Sequence, residues 1–194
     1  MNTFPFENVG AFIYSGTYQQ VYSKSVFTGP VVISEIAFAS TGFGGSATYN
    51  LNLNISLSTT SAAVNGLSTN YSSNRGADFT PVFSGDLTAN ITRTNTFDLM
   101  FSLANPFVYD PAKGNLLLDV FINSSSAPTG LFYVAGTTGT SSRVSTSPAT
   151  GVTSADSLSL QTRFMTAQPV PEPATVTLLG TGLVVLIAFG RRRR

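Results

Sequence analysis

The stretch SATYNLNLNISLSTT, residues 46–60, alternates so regularly that it constrains the fold more than any other feature of the chain. Tyr49, Leu51, Leu53, Ile55 and Leu57 fall on one side, and Asn50, Asn52, Asn54, Ser56 and Ser58 on the other. Period two is the geometry of a half-buried β-strand; a helix of 3.6 residues per turn would scatter the same apolar side chains around its axis. Related runs are QQVYSKSVF (19–27), VVISEIAFA (31–39), TFDLMFSLA (96–104), NLLLDVFIN (115–123), LFYVAG (131–136) and LSLQTRFMT (158–166). AFIY (11–14) and TPVFSG (80–85) are shorter candidates. Gly, Pro, Asn and Asp clusters at 28–30, 41–46, 105–115 and 124–130 separate them as turns. Short strands at this spacing predict an all-β fold, a single β-sandwich or jelly-roll-like domain over residues 1–168. Residues 58–76 are expected to be a long irregular loop, and 136–156, rich in Ser, Thr and Gly, a mobile loop or hairpin tip.

Composition removes several function classes. The chain has neither Cys nor His, which excludes disulfides, thiolate chemistry, imidazole bases and the usual zinc sites. Charged residues are 10% of 194, and four of the ten basic ones are Arg191, Arg192, Arg193 and Arg194. Up to Gln168 the remaining six face eight acids, so the body has no basic excess of the kind a nucleic-acid partner needs.

Glycan hydrolysis requires two carboxylates across a cleft. Glu7, Glu35, Asp78, Asp86, Asp98, Asp110, Asp119 and Asp156 are the acids of the body. Glu35, Asp98 and Asp119 alternate with apolar neighbours inside strand runs and are expected on solvent faces. The loops SNRGADF (73–79) and VYDPAKGN (108–115) hold the residue types of a structural Ca²⁺ site but lack the spacing of an EF-hand, and Asp and Asn serve equally as turn residues. No other cofactor is expected. Tyr14, Tyr18, Tyr22, Tyr71, Tyr109 and Tyr133 are candidates for stacking on sugar rings, because an amphipathic ring suits a half-wet site.

The last 26 residues form a segment of their own, 169–194. A Pro-rich hinge, AQPVPEPA (167–174), leads into sixteen uncharged residues, 174–189, and then the four arginines. Ala174, Leu178, Leu179, Leu183, Val184, Val185, Leu186, Ile187 and Phe189 carry its apolar character. As a helix this stretch reaches ~24 Å, short of the ~30 Å hydrocarbon core of a bilayer, and flanking residues can extend the span. It is therefore expected to be one transmembrane helix, with Arg191 to Arg194 as a cytoplasmic stop and the body outside the cytoplasm.

VPEPATVTLLGTGLVVLIAFGRRRR resembles the PEP-CTERM sorting signal of Gram-negative bacteria: a Pro-Glu-Pro motif, an apolar helix and a basic cluster, in that order. The resemblance implies recognition of Pro171, Glu172 and Pro173 by an exosortase, a membrane-embedded cysteine transpeptidase, with this chain as substrate. It further implies transient or permanent anchoring in the inner membrane, then delivery to the cell surface or the extracellular matrix of exopolysaccharide-forming cells. The motif's form has a physical logic, because two prolines fix φ near −65° and keep the segment extended and presentable. MNTFPFENVGAFIYSG has neither the basic region nor the apolar run of a secretory signal, so the true start is expected to lie upstream of Met1. The stretch YQQVYSKSVFTGPVVISEIAF, with LNISLSTTSAAVNGLSTNYSSNRGADFTPVFSG after it, resembles the body repeatedly seen ahead of such tails in environmental bacteria, a likeness that implies a fold and no reaction. The expectation is an exported, non-enzymatic structural or interaction protein. A carbohydrate-binding module for exopolysaccharide is the second reading and a glycan-active enzyme the third.

Overall fold

The computed structural model describes residue 6 and residues 16–41, 45–92, 94–125, 131–132, 134–135, 139–147 and 150–169. The alternation of 46–60 is realised as β3 (Ala47–Thr60), which lies between two partners in a six-stranded sheet. Before it come β1 (Gly16–Tyr22) and β2 (Val31–Thr41); after it come β4 (Thr80–Ile91), β5 (Thr94–Tyr109) and β6 (Asn115–Ser125). Short elements follow: β7 (Leu131–Phe132), β8 (Val134–Ala135), β9 (Ser141–Thr146), β10 (Thr153–Asp156), β11 (Ser159–Leu160) and β12 (Thr162–Ala167). The first sheet has the order β10-β9-β1-β6-β3-β4, and the second the order β12-β2-β5 with β7 also on β2. Among the described residues every pairing is antiparallel, and the fold is all-β, as the alternation predicts.

Both sheets turn one face to a shared core. Leu51, Leu53, Ile55 and Leu57 of β3 and Leu116, Leu118, Val120 and Ile122 of β6 meet Ile33, Ile36 and Phe38 of β2 and Leu99, Phe101 and Phe107 of β5. Each such side chain contributes roughly 1.5–3 kcal/mol by leaving water. Aromatic edges lock the layers together: Tyr22 meets Phe164 at 5.0 Å, Phe27 meets Tyr109 at 4.8 Å and Phe83 meets Phe101 at 5.3 Å. Gln20 shares the inner face of β1 with these residues and is fully buried. Its amide copies a backbone pair, donating to the Leu160 carbonyl at 3.0 Å and accepting from the Leu160 amide at 2.8 Å, so the polar group carries no desolvation debt.

Three expectations need correction. Residues 136–156 are not simply a loop, because they contain β9 and β10, and β9 is buried between β1 and β10. SSRVST and TSAD show no alternation since burial on both sides, not amphipathicity, defines β9. The run 19–27 stops at Tyr22, where the Ser23 side chain accepts from the Ser25 amide and starts a single 3-10 turn, Lys24–Val26. That turn redirects the chain from the first sheet to the second. The stretch 58–76 also begins as strand, because β3 continues to Thr60. Residues 11–14 lie outside the described residues.

Gly114 shapes one end of the body. Its φ of 153° and a would-be Cβ only 2.6 Å from the Thr60 carbonyl oxygen leave no room for a side chain. The Tyr109 hydroxyl donates to the Gly114 carbonyl at 2.7 Å and closes the turn from β5 to β6.

Candidate functional site

Two regions concern function: the strand that leads into the C-terminal segment, and the outer face of the six-stranded sheet. β12 is an outermost strand of its sheet, paired with β2 from Thr162 opposite Phe38 to Ala167 opposite Val32. Thr166, Ala167 and Gln168 are exposed, and the described chain ends one residue later, at Pro169. Pro171, Glu172 and Pro173, the apolar residues from Ala174 to Phe189, and Arg191 to Arg194 lie outside the described residues. Among the described residues no helix is long and apolar enough to cross a membrane.

On the outer face, residues 61–79 fold back over β1, β6 and β3. Leu67 packs with Val21, Leu117 and Val144, giving a second small core beyond the sheet. Beside it lies a polar network. The Gln19 side-chain amide donates to Asp119 Oδ2 at 2.7 Å and to the Tyr71 carbonyl at 3.0 Å, and Arg75 Nε donates to the same Asp119 oxygen at 2.8 Å. Asn74 donates to Gln19 Oε1 at 2.8 Å and accepts from the Ser68 amide at 2.8 Å. The Tyr71 hydroxyl donates to the Thr17 carbonyl at 2.9 Å and shares a hydrogen bond with Thr146 at 2.8 Å. Burial pushes the Tyr71 hydroxyl above its ordinary pKa, with the Thr146 bond opposing the shift. Arg75 also lies over the Phe79 ring at 4.6 Å. This arrangement clamps a loop to a sheet; its groups are consumed by one another.

Asp119 therefore corrects its solvent-face expectation, being 4% exposed beneath the loop. The signal was available in the sequence: Leu117 and Phe121 share the face of Asp119, so that face was never uniformly polar. Glu35 lies 3.8 Å from Arg163, and Asp156 binds Arg143 through two contacts at 2.9 and 3.0 Å. Asp86 accepts from Asn52 at 2.6 Å, and Asp98 accepts from the Thr92 amide at 2.6 Å. Of the acids in the two loops considered for Ca²⁺, Asp110 accepts from the Ala112 amide two residues on, as a turn residue does, and Asp78 accepts from the Thr59 amide of β3, tying its loop to the strand. Each of these seven carboxylates is thus held by a different partner. Among the described residues no three acidic groups gather as a metal would require.

The tyrosine expectation also needs correction. Tyr18, Tyr22 and Tyr109 are core residues and Tyr71 is engaged under its loop, while Tyr14 and Tyr133 lie outside the described side chains. Burial raises the Tyr109 hydroxyl to about 12 and the Tyr22 hydroxyl well above 10. The exposed ring on the outer face is Phe121, 41% accessible and directly opposite Asn54. Next to it runs a ladder of amides and hydroxyls, with Asn123 bonded to Asn52 at 2.8 Å, Ser84 to Asn54 at 2.6 Å and Thr88 to Asn50 at 2.8 Å. Asn50, Asn52, Asp86, Thr88, Ser124 and Ser125 line an adjoining groove of about 300 Å³.

The tail is decided by comparison with known families: residues 169–194 match the model of the PEP-CTERM protein-sorting motif. The chain carries a PEP-CTERM sorting signal. The signal marks it as an exported protein, recognised by an exosortase and sorted to the cell surface. The match begins at Pro169, two residues beyond the last residue of β12, so folded body and PEP-CTERM signal adjoin almost directly. No curated protein and no solved structure matches the chain.

Proposed function

We propose that the body is a non-catalytic β-sandwich that serves as cargo: held at the inner membrane by residues 174–189, processed near Pro171, Glu172 and Pro173, and then displayed at the cell surface or in the matrix as a structural or interaction domain. The observation that carries this reading is the sorting motif placed immediately after an outermost strand. Gln168 leaves that strand exposed and Pro169 half-buried, and the prolines beyond them disfavour helix, so the recognition residues would be offered as an extended peptide. Asp78, Asp86, Asp98, Asp110, Asp119 and Asp156 each accept an internal hydrogen bond, which suits a stable module better than a reactive cleft. The test is the intact mass of the protein recovered from its host's envelope and medium. Loss of the apolar segment and Arg191 to Arg194 is the expected result; a full-length mass in the cytosol would sink the reading. Pro171→Ala with Pro173→Ala should leave the body folded and slow processing.

A second reading, carbohydrate binding, rests on Phe121. An exposed ring flanked by Asn52, Asn54 and Asn123 offers a sugar one apolar face and several hydrogen-bonding partners. Affinity electrophoresis in gels containing exopolysaccharide tests it: retardation that Phe121→Ala abolishes would favour this reading, and unretarded migration of the unaltered protein would end it.

A further inference from the structure

The outer face of the second sheet carries Met100 and Met165, and we propose that it is an oxidant-absorbing site, in which Met100 takes an oxygen atom from hydrogen peroxide and Arg163 holds the sulfoxide that forms. The chain has no Cys and no Trp, so thioethers are its most readily oxidised side chains. Met100 of β5 is 47% exposed and Met165 of β12 is 48% exposed. Both stand on paired strands, so an oxidant reaches them without local unfolding.

Register places Met100 beside a guanidinium. Arg163 is opposite Ala37 and Ala37 is opposite Met100, so the three share a face; the next pair along it is Met165 opposite Glu35. Arg163 Nη2 lies 3.9 Å from Met100 Sδ and 3.8 Å from Glu35 Oε1, and the guanidinium carbon lies 5.0 Å from the centre of the Phe97 ring. At 3.8 Å the carboxylate is beyond hydrogen-bond distance, so it attracts the guanidinium without using up its N–H donors. The donor facing Met100 meets a thioether sulfur, which accepts only weakly.

Oxidation changes that balance. A lone pair of Met100 Sδ attacks one peroxide oxygen, and the S–O bond forms as the O–O bond breaks. The departing hydroxide collects the proton of the transferred oxygen and leaves as water, so sulfur loses two electrons and peroxide gains them. The new oxygen is a strong acceptor on a flexible side chain, one bond from a sulfur already in contact with Nη2, and Arg163 meets it with a charge-assisted hydrogen bond. Met165 differs, because it stands opposite Glu35, and an ionised carboxylate accepts but does not donate. Oxygen is therefore accommodated at residue 100 and not at residue 165. An exported domain built this way consumes peroxide at its surface and keeps its fold.

The test uses full-length protein in mild detergent, treated with hydrogen peroxide and mapped by peptide mass. Met165→Leu and Met100→Leu backgrounds leave one of the two sites at a time, and urea midpoints are followed by circular dichroism. One oxygen added at residue 100 in Met165→Leu should leave the midpoint within about 0.2 M. Adding Arg163→Gln, where the side chain is 43% exposed, should hardly move the reduced midpoint yet make the same oxidation cost about 0.5 M. Oxidation of Met165 in Met100→Leu should cost about 0.5 M with Arg163 in place. The proposal is overturned if Met100 gains no oxygen under conditions that fully oxidise free methionine. It is overturned equally by a midpoint loss at Met100 that is the same before and after Arg163→Gln, or the same as the loss at Met165.

Discussion

Gly76 is the position where one added methyl group should do most damage to the outer face. A Cβ built there lies 1.7 Å from the Thr59 carbonyl oxygen and 2.9 Å from its carbon, both backbone atoms that no rotamer change can move aside. A gap of roughly 1.3 Å has to open before the contact reaches even the tight limit of 3.0 Å. Either β3 or the loop must retreat, and three hydrogen bonds depend on their present spacing: Gly76 to Ser58 at 3.3 Å, Thr59 to Asp78 at 2.8 Å, and Thr60 to the Asn74 carbonyl at 2.6 Å. Overpacking costs about 1–3 kcal/mol and the three weakened hydrogen bonds together about 2 kcal/mol more, so Gly76→Ala should destabilise by about 3–5 kcal/mol. With a urea m-value near 2 kcal/mol/M, the unfolding midpoint followed by circular dichroism should fall by about 1.5–2.5 M. Gly29→Ala is the control, because nothing lies within 4 Å of a Cβ there, and its midpoint should stay within about 0.3 M. A Gly76→Ala midpoint equal to that control would refute the claim that residues 74–78 clamp β3.

Asp119→Ala should cost about 2 kcal/mol, since Gln19 keeps the Tyr71 carbonyl and Arg75, whose side chain is 36% exposed, can turn to water. The coupling with Arg75→Ala in a double-mutant cycle should be near 1 kcal/mol, and fully additive single effects would show that the pair is not energetically joined. In alkali, Tyr109 and Tyr22 are held neutral by burial, so their folded pKa values exceed the unfolded value of 10. Their contribution is complete below pH ~10 and is lost as the pH climbs towards 12; stability that is flat across this range, measured by urea midpoints, would contradict it. A chain ending at Gln168 retains every described β12 pair and should be soluble and folded, an outcome that size-exclusion chromatography and circular dichroism would check against aggregation.

What could be read from the sequence follows from which faces of each strand are buried. β3 and β6 each turn an apolar face to the shared core, and for β3 the opposite face stays largely polar, so its alternation was visible. β9 lies inside the sheet between β1 and β10, with five of its six residues buried, and four of those six are Ser or Thr; nothing periodic survives in such a strand. Asp119 was misjudged for a related reason. Alternation assigns a residue to a face but does not say whether that face meets water, and here residues 61–79 cover it. The loop's own sequence, SNRGADF, contained the partner Arg75 and the close-approach Gly76, but Asp119 lies 44 residues from Arg75 along the chain, and Gly76 meets Thr59 of β3. The sorting signal sits at the other extreme. Its information is held in contiguous order, Pro-Glu-Pro, apolar run, arginines, so the whole of it lies within residues 169–194. A motif contained in one short stretch is legible without a fold, whereas the network of Gln19, Asn74, Arg75 and Asp119 exists only once folding assembles it.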